Sequence, residues 1–439
     1  LDDFGWKDTG YMGSDFYETP NIDRLAKGGM IFTDAYSTSA NCAPARACLL
    51  SGQYTPRHQI YNVGTRPRGD VKHRRLEHIT GTNKLSLDVL TWAEALQESG
   101  YRTGMFGKWH LGLIPKDQGF DVAVEHNKIP GMRGHIGRNG EYLADVLTEK
   151  TLNFISQPKG KPWCAYLSHY AVHVPLQAKK KLIKKYEAKK PGVLHQHAIM
   201  AAMIESVDEG VGRLVAKLEE TGQRENTVIF FFSDNGGYGP ATDMAPLFGY
   251  KGNYFEGGIR VPFFVNWPGR IQGGQQSAEP IIGVDLYPTF LELAEAKRPN
   301  QALDGVSLVS LFSGRQKSIG PRPLYWHFPA YLQSYDVYQE QRDPLFRTRP
   351  CSVIRLGDWK LHEYFEDDAL KLYNLRDDIG EQNDLAKARP QLVKKLHAML
   401  KSWRKEIGAA VPKAPNPKFD SQAEAKAIHA AKLKLRPAR

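Results

Sequence analysis

The chain alternates short apolar runs with longer segments in which apolar residues recur every three or four positions. This alternation is typical of parallel strands joined by helices that cover both faces of a sheet. Helices are predicted over residues 20–29, 87–99, 141–156, 195–220 and 285–294, and strands over residues 30–36, 101–106, 162–168, 227–233 and 261–265. The apolar run within 227–233 is rich in aromatic residues, which favours a strand at the centre of the sheet.

The pattern changes after about residue 320. Short strand-like pieces at 351–355, 359–364 and 370–374 are separated by turns, and a helix is predicted over 390–406. The predicted fold class is therefore α/β, with a large mixed, mainly parallel sheet sandwiched by helices and a smaller C-terminal antiparallel sheet. We expect an N-terminal α/β domain that carries the chemistry over 1–320, a subdomain over 321–410, and a basic, proline-containing, poorly ordered extension over 411–439.

Composition excludes several classes of protein. The 439 residues are 41% hydrophobic and 24% charged, which is ordinary for a folded chain. No apolar run approaches the roughly 20 residues of a membrane-spanning helix, so no membrane span is predicted. The net charge is +11, but ten Lys and Arg against three acids lie after residue 400. Because that tail has only two aromatic residues, Trp403 and Phe419, it does not resemble a nucleic-acid-binding face, and no nucleic acid partner is expected.

The four cysteines, Cys42, Cys48, Cys164 and Cys351, form no CxxC pair and no zinc-like spacing with histidine. Four cysteines are also too few for a disulfide scaffold in a chain of this length. The chain opens on Leu1-Asp2-Asp3, with no apolar run before the two acids. Because such acids usually follow a strand, we expect the sequence to begin inside a first strand.

Polar residues of several types follow four of the predicted strands, at the edge where ligands bind in open α/β sheets. The residues at these strand ends are Asp2 and Asp3, Lys108 and His110, His169 and His173, and Asp234 and Asn235. The acids and the amide form an all-oxygen set that suits Ca²⁺ or Mg²⁺ and does not suit zinc. Taken alone, each acidic pair could be a turn, and each histidine could be structural; their shared position favours a metal site.

Cys42 lies near the predicted start of a helix in the segment NCAPARACLLSG, residues 41–52. Pro44 is suited to the first turn of that helix, and Arg46 follows one turn later. Free N–H groups and the helix dipole would stabilise an anion there. The alternative is an ordinary buried cysteine beside a proline-initiated helix.

The Cys-x-Pro-x-Arg motif followed by Leu-Leu-Ser-Gly resembles that of the type I, formylglycine-dependent sulfatases of the alkaline phosphatase superfamily. The resemblance continues in order up to about residue 405. It includes GKWHLG at 107–112, VHVP at 172–175, SDNGG at 233–237, KG at 251–252, EGGIRVP at 256–262 and LGDWKL at 356–361. Ala45 stands where many members carry Ser or Thr, which leaves the flanking Cys, Pro and Arg intact.

The resemblance implies a function for each of these residues. Cys42 would be oxidised to formylglycine by a formylglycine-generating enzyme, and its hydrate would attack sulfur and later expel sulfate. The metal, Ca²⁺ rather than Mg²⁺, would be held by Asp2, Asp3, Asp234, Asn235 and residue 42. The remaining catalytic residues would be Arg46 and Lys108 as anchors of formylglycine, Lys108 and Lys251 on the sulfate group, His173 and Lys251 as candidate acids, and His110 as a base.

Three basic segments suit a polyanionic substrate. The candidate substrate-binding residues are Arg66, Arg68 and Arg74 in the first segment, which also holds Lys72 and Arg75, Arg133 and His135 in the second, and Arg349 in the third. We therefore expect a sulfatase of a sulfated oligo- or polysaccharide, such as an algal galactan like carrageenan or a glycosaminoglycan. Such a substrate implies a periplasmic or secreted location, with an export signal upstream of Leu1. A phosphatase or phosphonate hydrolase of the same superfamily, and a non-catalytic binder of sulfated glycans, remain as alternatives.

Overall fold

The structure, a computed structural model, describes residues 1–157, 160–334, 342 and 344–434. Its helices are α1 (Pro20–Lys27), α2 (Cys42–Ser51), α3 (Thr55–His58), α4 (Trp92–Glu98), α5 (Leu143–Ile155), α6 (Lys180–Glu187), α7 (Ala198–Glu220), α8 (Glu256–Ile259), α9 (Leu286–Ala294), α10 (Val309–Phe312), α11 (Pro390–Glu406) and α12 (Ser421–Lys434). Its strands are β1 (Met30–Phe32), β2 (Ala35–Tyr36), β3 (Arg102–Gly107), β4 (Val122–Glu125), β5 (Met132–Arg133), β6 (Ile136–Gly137), β7 (Trp163–Ser168), β8 (Ile229–Phe232), β9 (Phe263–Asn266), β10 (Gln275–Ser277), β11 (Ile281–Ile282), β12 (Pro323–Phe328), β13 (Leu332–Gln333), β14 (Phe346–Thr348), β15 (Cys351–Leu356), β16 (Trp359–Tyr364) and β17 (Leu370–Asn374).

The N-terminal part contains a parallel sheet, in the order β4-β3-β7, and a mixed sheet, in the order β10-β1-β9-β8. In the mixed sheet β1 is parallel to β10, while β9 is antiparallel to both β1 and β8. Residues 1–4 run between the two sheets: the Asp2 amide donates to the Ala171 carbonyl over 3.1 Å, and the Asp234 amide donates to the Leu1 carbonyl over 3.2 Å. The predicted α/β class is confirmed, with the large sheet divided in two at this segment.

Helices cover both faces of the mixed sheet, as the alternation of its side chains requires. Phe231 and Phe264 stack with their ring centroids 5.1 Å apart on the face that carries α1 and α7. Phe263 and Val265 point to the other face, where they pack with α9 and α10. Both faces are thus buried, which leaves the strand ends as the place where polar residues can gather.

The C-terminal part is an antiparallel sheet in the order β12-β15-β16-β17, with α11 packed on it. The three predicted strands lie within one residue of β15, β16 and β17, so the smaller antiparallel sheet is confirmed. The edge strand β12 is absent from the prediction. The domain limits at residues 320 and 410 stay a prediction.

A buried cluster of charges joins this sheet to the rest of the chain. Arg355 Nη2 donates to Oδ2 of Asp34 over 2.6 Å, and Lys360 Nζ donates to Oε1 of Glu256 over 2.8 Å. Arg260 pairs with both acids. Burial alone would raise the pKa of Glu256, but Lys360 and Arg260 lower it to about 2, so the carboxylate stays charged.

Two predicted segments differ from the structure. The predicted strand 30–36 is broken into β1 and β2 by a turn at residues 33–34. The tail after residue 411 contains α12, so the expectation of a poorly ordered extension is wrong for the residues described there. Asp420 accepts hydrogen bonds from the amides of Gln422 and Ala423 at 3.0 Å each, which caps a helix rich in Ala and Lys. Within the described residues, no helix is both long enough and apolar enough to cross a bilayer.

Candidate active site

Two polar pairs meet where the two N-terminal sheets join. Asp2 and Asp3 lie in the connecting segment, and Asp234 and Asn235 come after β8. The Asp3 amide donates to Oδ1 of Asp234 over 3.2 Å, and Asn235 Nδ2 donates to Oδ1 of Asp3 over 2.9 Å. All four side chains are buried. The structure therefore brings together two pairs of residues that are 231 to 233 positions apart in sequence.

Two buried lysines pair with the first of these acids. Lys108 Nζ lies 2.5 Å from Oδ2 of Asp2, and Lys251 Nζ lies 2.7 Å from Oδ1 of Asp3. Burial alone would raise the pKa of both carboxyl groups, but Lys108 lowers the pKa of Asp2 to about 2, and Lys251 lowers that of Asp3. Both acids are therefore carboxylates at neutral pH and can bind a cation.

Arg46 ties the helix that carries the Cys-x-Pro-x-Arg motif to three strand ends. Its Nε and Nη2 atoms lie 2.9 and 2.8 Å from Oδ2 of Asp234. Its Nη1 atom donates to the carbonyl of Lys108 over 3.0 Å and to the hydroxyl of Ser168. Because a buried guanidinium can make several hydrogen bonds at fixed angles, this one contact set fixes α2 against β3, β7 and β8.

Cys42 is the first residue of α2, as predicted, and its side chain is buried beside the acids. Ligand atoms of Asp2, Cys42 and Asp234 all lie within 4.8 Å of one another. Burial raises the pKa of the Cys42 thiol, so an unmodified thiol here stays protonated and is a poor nucleophile. The Nδ1 atom of His110 lies 3.4 Å from Cys42 Sγ.

His110 reaches Cys42 from a turn with unusual backbone geometry. Gly107, at the end of β3, has φ +123°, and a Cβ atom there would lie 1.8 Å from the carbonyl oxygen of Ser168. His110 itself has φ +67°. Burial, with the charges of Lys108 and Arg46, lowers the pKa of His110 to about 3, so the imidazole is neutral at physiological pH and can accept a proton.

Lys251 is positioned by close contact between two glycine-rich turns. A Cβ atom on Gly236 would lie 2.0 Å from the carbonyl oxygen of Gly257 and 2.8 Å from Cα of Gly258. The backbones touch because neither side has a side chain there. The amide of Lys251 donates to the carbonyl of Gly237 over 3.0 Å, which sets the lysine beside the acids.

His173 faces Asp3, and its hydrogen bonds show that one of its two ring nitrogens carries a proton. Its Nδ1 atom lies 2.7 Å from the carbonyl oxygen of Val174 and 3.1 Å from the hydroxyl of Tyr170. Because a carbonyl oxygen can only accept, Nδ1 carries a proton. Nε2 lies 3.8 Å from Oδ2 of Asp3 and is the ring nitrogen that faces the acids.

Tyr170 is absent from the predicted set, yet it contacts several site residues. Its ring stacks on His126 and His135, with ring centroids 4.4 and 4.8 Å away, and Lys108 Nζ lies 5.5 Å from its ring centroid. Its hydroxyl donates to the Val174 carbonyl over 2.6 Å. The available signal was position alone, since Tyr170 lies in the segment after β7 that carries both predicted histidines. His169, in that same segment, is buried, and neither of its ring nitrogens has a hydrogen-bond partner among the described residues.

The predicted substrate-binding residues lie on two segments beside the site. Arg66 is exposed on the segment that follows Asn62, whose Oδ1 atom accepts a hydrogen bond from Asn41, the residue before Cys42. Arg68 and Arg74, on the same segment, are partly buried, and Arg133 is exposed on the β5–β6 hairpin.

Two predicted substrate-binding residues lie inside the protein. His135 is fully buried, donates from Nε2 to the carbonyl of His173 over 2.7 Å, and has its pKa lowered by burial to about 4. Arg349 is buried between Glu366 and Glu424, at 2.7 and 2.9 Å. Both side chains thus have partners within the protein, and their contact with a substrate stays a prediction.

The four oxygen-bearing residues fit a hard divalent cation. Oδ1 of Asp2 and Oδ1 of Asn235 are buried and accept no hydrogen bond from the part of the chain that the structure describes. Buried oxygen atoms without donors are costly unless they bind a cation. Three carboxylates and an amide suit Ca²⁺ or Mg²⁺.

Comparison with known proteins agrees with the geometry. The family model described as Sulfatase matches residues 1–296, and that of the N-sulphoglucosamine sulphohydrolase C-terminal region matches residues 248–406. A sulfatase of Formosa agariphila is 32% identical over 96% of this chain and 91% of its own. Human N-acetylgalactosamine-6-sulfatase is 30% identical over 74% of this chain and 67% of its own. The crystal structure of Ps i-CgsB in complex with k-i-k-neocarrahexaose has a TM-score of 0.76 and 28% identity, over 98% of this chain and 96% of that one.

Proposed function

Because the chain belongs to the sulfatase family, we propose that this sulfatase removes sulfate from a sulfated carbohydrate, through a formylglycine formed at Cys42 and a bound Ca²⁺ ion. The substrate class is supported by two relatives of different kinds. One is named for N-acetylgalactosamine, and the other is solved with a neocarrahexaose. A galactan such as carrageenan and a glycosaminoglycan-type chain are therefore the two substrates to test first.

The observation that carries the proposal is the position of residue 42. Its Sγ atom lies within 4.8 Å of carboxylate oxygens of Asp2 and Asp234, on the first turn of a helix whose free N–H groups favour an anion. A protonated thiol has little nucleophilic power there, whereas the hydrate of formylglycine can lose a proton to a neighbouring base. A formylglycine-generating enzyme is accordingly the expected partner during maturation.

The metal would be held by Asp2, Asp3, Asp234 and Asn235, together with the modified residue 42. When bound, Ca²⁺ would supply positive charge to the sulfate oxygens and to the attacking hydroxyl. The fit depends on Asp2 and Asn235, whose buried Oδ1 atoms have no donor among the described residues.

The chain's own cations and histidines complete the chemistry. Lys108 and Lys251 lie within 3 Å of the carboxylates, where they can stabilise charge on a sulfate group in the same space. His110, neutral and close to residue 42, can take a proton from the nucleophile. His173 and Lys251 are the candidate donors to the leaving sugar oxygen, and Arg46 holds the nucleophile helix in place.

Arg66, Arg68, Arg74 and Arg133 would bind sulfate or carboxylate groups of the substrate beyond the cleaved ester. Their segments contact Asn41, through Asn62, and His173, through His135. A substrate of this kind is met outside the cytoplasm, so we propose a periplasmic or secreted location.

The test is sulfate release by protein coexpressed with a formylglycine-generating enzyme. A panel of defined sulfated galactan and glycosaminoglycan oligosaccharides would be compared with a small aryl sulfate. We expect Cys42→Ala to lower kcat by a factor of about 10³ or more, since loss of a covalent nucleophile typically has an effect of that size. Mass spectrometry of the peptide that carries residue 42 would show an aldehyde in place of the thiol.

Cys48→Ala is the matched control, because Cys48 lies on the same helix and is equally buried but contacts His58 instead of the acids. It should keep its activity. Full activity of Cys42→Ala, or an unmodified thiol in fully active enzyme, would contradict the nucleophile and favour the phosphatase-like alternative. Aryl sulfates cleaved far better than every glycan would contradict the substrate class. Loss of activity on chelation and its recovery with Ca²⁺ would test the metal.

A further inference from the structure

Residues 411–434, which we call the C-terminal strap, lie across the basic segment 65–79. The Glu77 amide donates to the carbonyl of Ala414 over 2.8 Å, and the Asn416 amide donates to the carbonyl of Arg75 over 2.9 Å. The side chain of Asn416 donates to the carbonyls of Val71 and Arg74 over 2.8 and 2.6 Å. The segment that follows the nucleophile helix is thus held by backbone contacts with the far end of the chain.

Glu424 on α12 fixes these contacts with charge. It is 3% exposed, and its carboxylate pairs with Arg75 at 3.0 Å and with Arg349 at 2.9 Å. Arg349 also pairs with Glu366 at 2.7 Å and donates to the carbonyl of His73 over 3.2 Å. Two arginines and two acids therefore balance in one cluster, in which Arg349 and both acid side chains are buried and Arg75 is exposed, and removing a buried partner leaves a charge uncompensated.

The cluster continues toward the catalytic lysine through β14. Arg349 follows directly after this strand, whose Arg347 donates from Nη1 to the carbonyl of Lys251 over 3.0 Å. Thr348 donates from its hydroxyl to the carbonyl of Gly252. The strap, the basic segment and the turn that carries Lys251 are thus connected through one series of contacts.

We propose that the C-terminal strap is a specificity element: through Glu424 it holds the basic segment in one position, so that a sulfated chain can bind there beyond the ester that is cleaved. This inference rests on the proposed function. Arg66, Lys72 and Arg75 are exposed or partly exposed on the held segment, and a rigid array of cations loses less conformational entropy when it binds a polyanion than a mobile one does. Glu424 is therefore a positioning residue that touches no substrate.

The test variant is Glu424→Gln in the mature, full-length enzyme. We expect KM for a sulfated oligosaccharide to rise about tenfold with kcat within about twofold, and kcat/KM for a small aryl sulfate to stay within about twofold. Charge alone predicts the opposite sign, because removing an acid next to a basic segment should tighten the binding of a polyanion. Hydrogen exchange should become faster at the Glu77 and Asn416 amides.

Lys426→Gln is the matched control, since Lys426 is exposed on the same helix and its change also removes one charge. It should leave KM unchanged within about twofold. Should Glu424→Gln fail to fold, Asn416→Ala removes two hydrogen bonds to the basic segment without burying a charge, and it should raise KM in the same direction.

The outcomes separate the two proposals. If the wild-type enzyme cleaves the oligosaccharide and Glu424→Gln has an unchanged KM, only the proposal about the strap is overturned. An equal loss of kcat/KM on the oligosaccharide and on the aryl sulfate also overturns that proposal, because the effect then lies at the catalytic centre. A rise in KM for Lys426→Gln as large as for Glu424→Gln overturns it in favour of direct binding by α12. A wild-type enzyme that releases no sulfate from any glycan refutes the proposed function itself.

Discussion

At the scale of single residues, Tyr170 contacts several residues of the candidate site although it belongs to none of the motifs. Its ring stacks on two histidines, His126 and His135, and lies near Lys108, and its hydroxyl lies against both His173 and the Val174 carbonyl. Stacking of this kind fixes ring orientation, while the hydroxyl can accept a hydrogen bond from Nδ1 of His173, which already donates to the backbone carbonyl of Val174.

Replacing Tyr170 separates these two contributions. We expect Tyr170→Ala to lower kcat by at least about tenfold, because Lys108 and His173 lose the surface that orients them. Tyr170→Phe keeps the ring and should stay within about threefold of wild type, since Nδ1 of His173 keeps its bond to the Val174 carbonyl. The rate of sulfate release at saturating substrate gives kcat for both variants. Equal losses of kcat in the two variants would show that the hydroxyl, and not the ring, is what the site requires.

The charged residues of the site could be predicted because each follows a strand end or belongs to a motif with fixed spacing. Asp2, Asp234 and Lys108 meet as expected for that reason. Tyr170 could not be predicted, because an aromatic residue in such a segment is equally compatible with a core position. The burial of Arg349 could not be predicted, because nothing in its local sequence indicates that Glu366 and Glu424, 17 and 75 positions away, would pair with it.

At the scale of elements, the end of β3 depends on its pairing with β7. The two strands are parallel up to Gly107 and Ser168, and the turn that carries Lys108 and His110 starts there. The strands can approach because Gly107 has no side chain: a Cβ atom would overlap the Ser168 carbonyl oxygen at 1.8 Å. A small change at this glycine would therefore displace the Lys108 and His110 side chains of the candidate site.

Gly107→Ala should destabilise the protein by at least about 3 kcal/mol, because it combines an unfavourable φ with a steric overlap against backbone. Gly100→Ala is the control: its φ is +86° but no heavy atom lies within 4 Å of the added Cβ. Gly100→Ala should lower the free energy of unfolding by only about 1 kcal/mol. Chemical denaturation measures the free energy of unfolding of both variants. Similar costs for the two glycines would show that β3 and β7 can separate without penalty.

Helices and strands were predicted correctly where apolar residues recur at a clear spacing, and they were missed where contacts with distant parts of the chain stabilise the element. The strands β15, β16 and β17 and the helix α7 follow directly from their patterns. The helix α12 did not, because its Ala and Lys residues carry little apolar signal. The helix α12 is held in place by Glu424, whose partners lie 75 and 349 positions away in sequence.

At the scale of the whole molecule, buried neutral histidines make stability depend on pH. His327 is 1% exposed, with Nδ1 bonded to the Ser352 hydroxyl at 2.8 Å and Nε2 bonded to the Ala410 carbonyl at 2.9 Å. Burial lowers its pKa from 6.5 to about 4. Between these values the unfolded chain binds a proton there and the folded chain does not, so acid favours unfolding.

We expect the free energy of unfolding to fall as pH decreases from about 6.5 to 4, with His327 contributing up to about 1.4 kcal/mol per pH unit. His327→Gln should be less stable at neutral pH, since it loses hydrogen bonds, but should show a shallower pH dependence in that window. Urea denaturation at several pH values measures the slope. His429→Gln, a change of an exposed histidine on α12, should keep the wild-type slope. A slope unaffected by His327→Gln would contradict the assignment.

The buried cluster around Asp34 and Glu256 also limits how this protein could be divided or recombined. A fragment that ended before the antiparallel sheet would retain both acids with Arg260 as their shared cation, and it would expose to water the apolar side chains that the sheet covers, among them Ile282 and Val284. Such a fragment should aggregate or unfold. A chimaera built with the C-terminal half of a relative would need a cation at the positions of both Arg355 and Lys360, whatever sugar specificity the graft was meant to import.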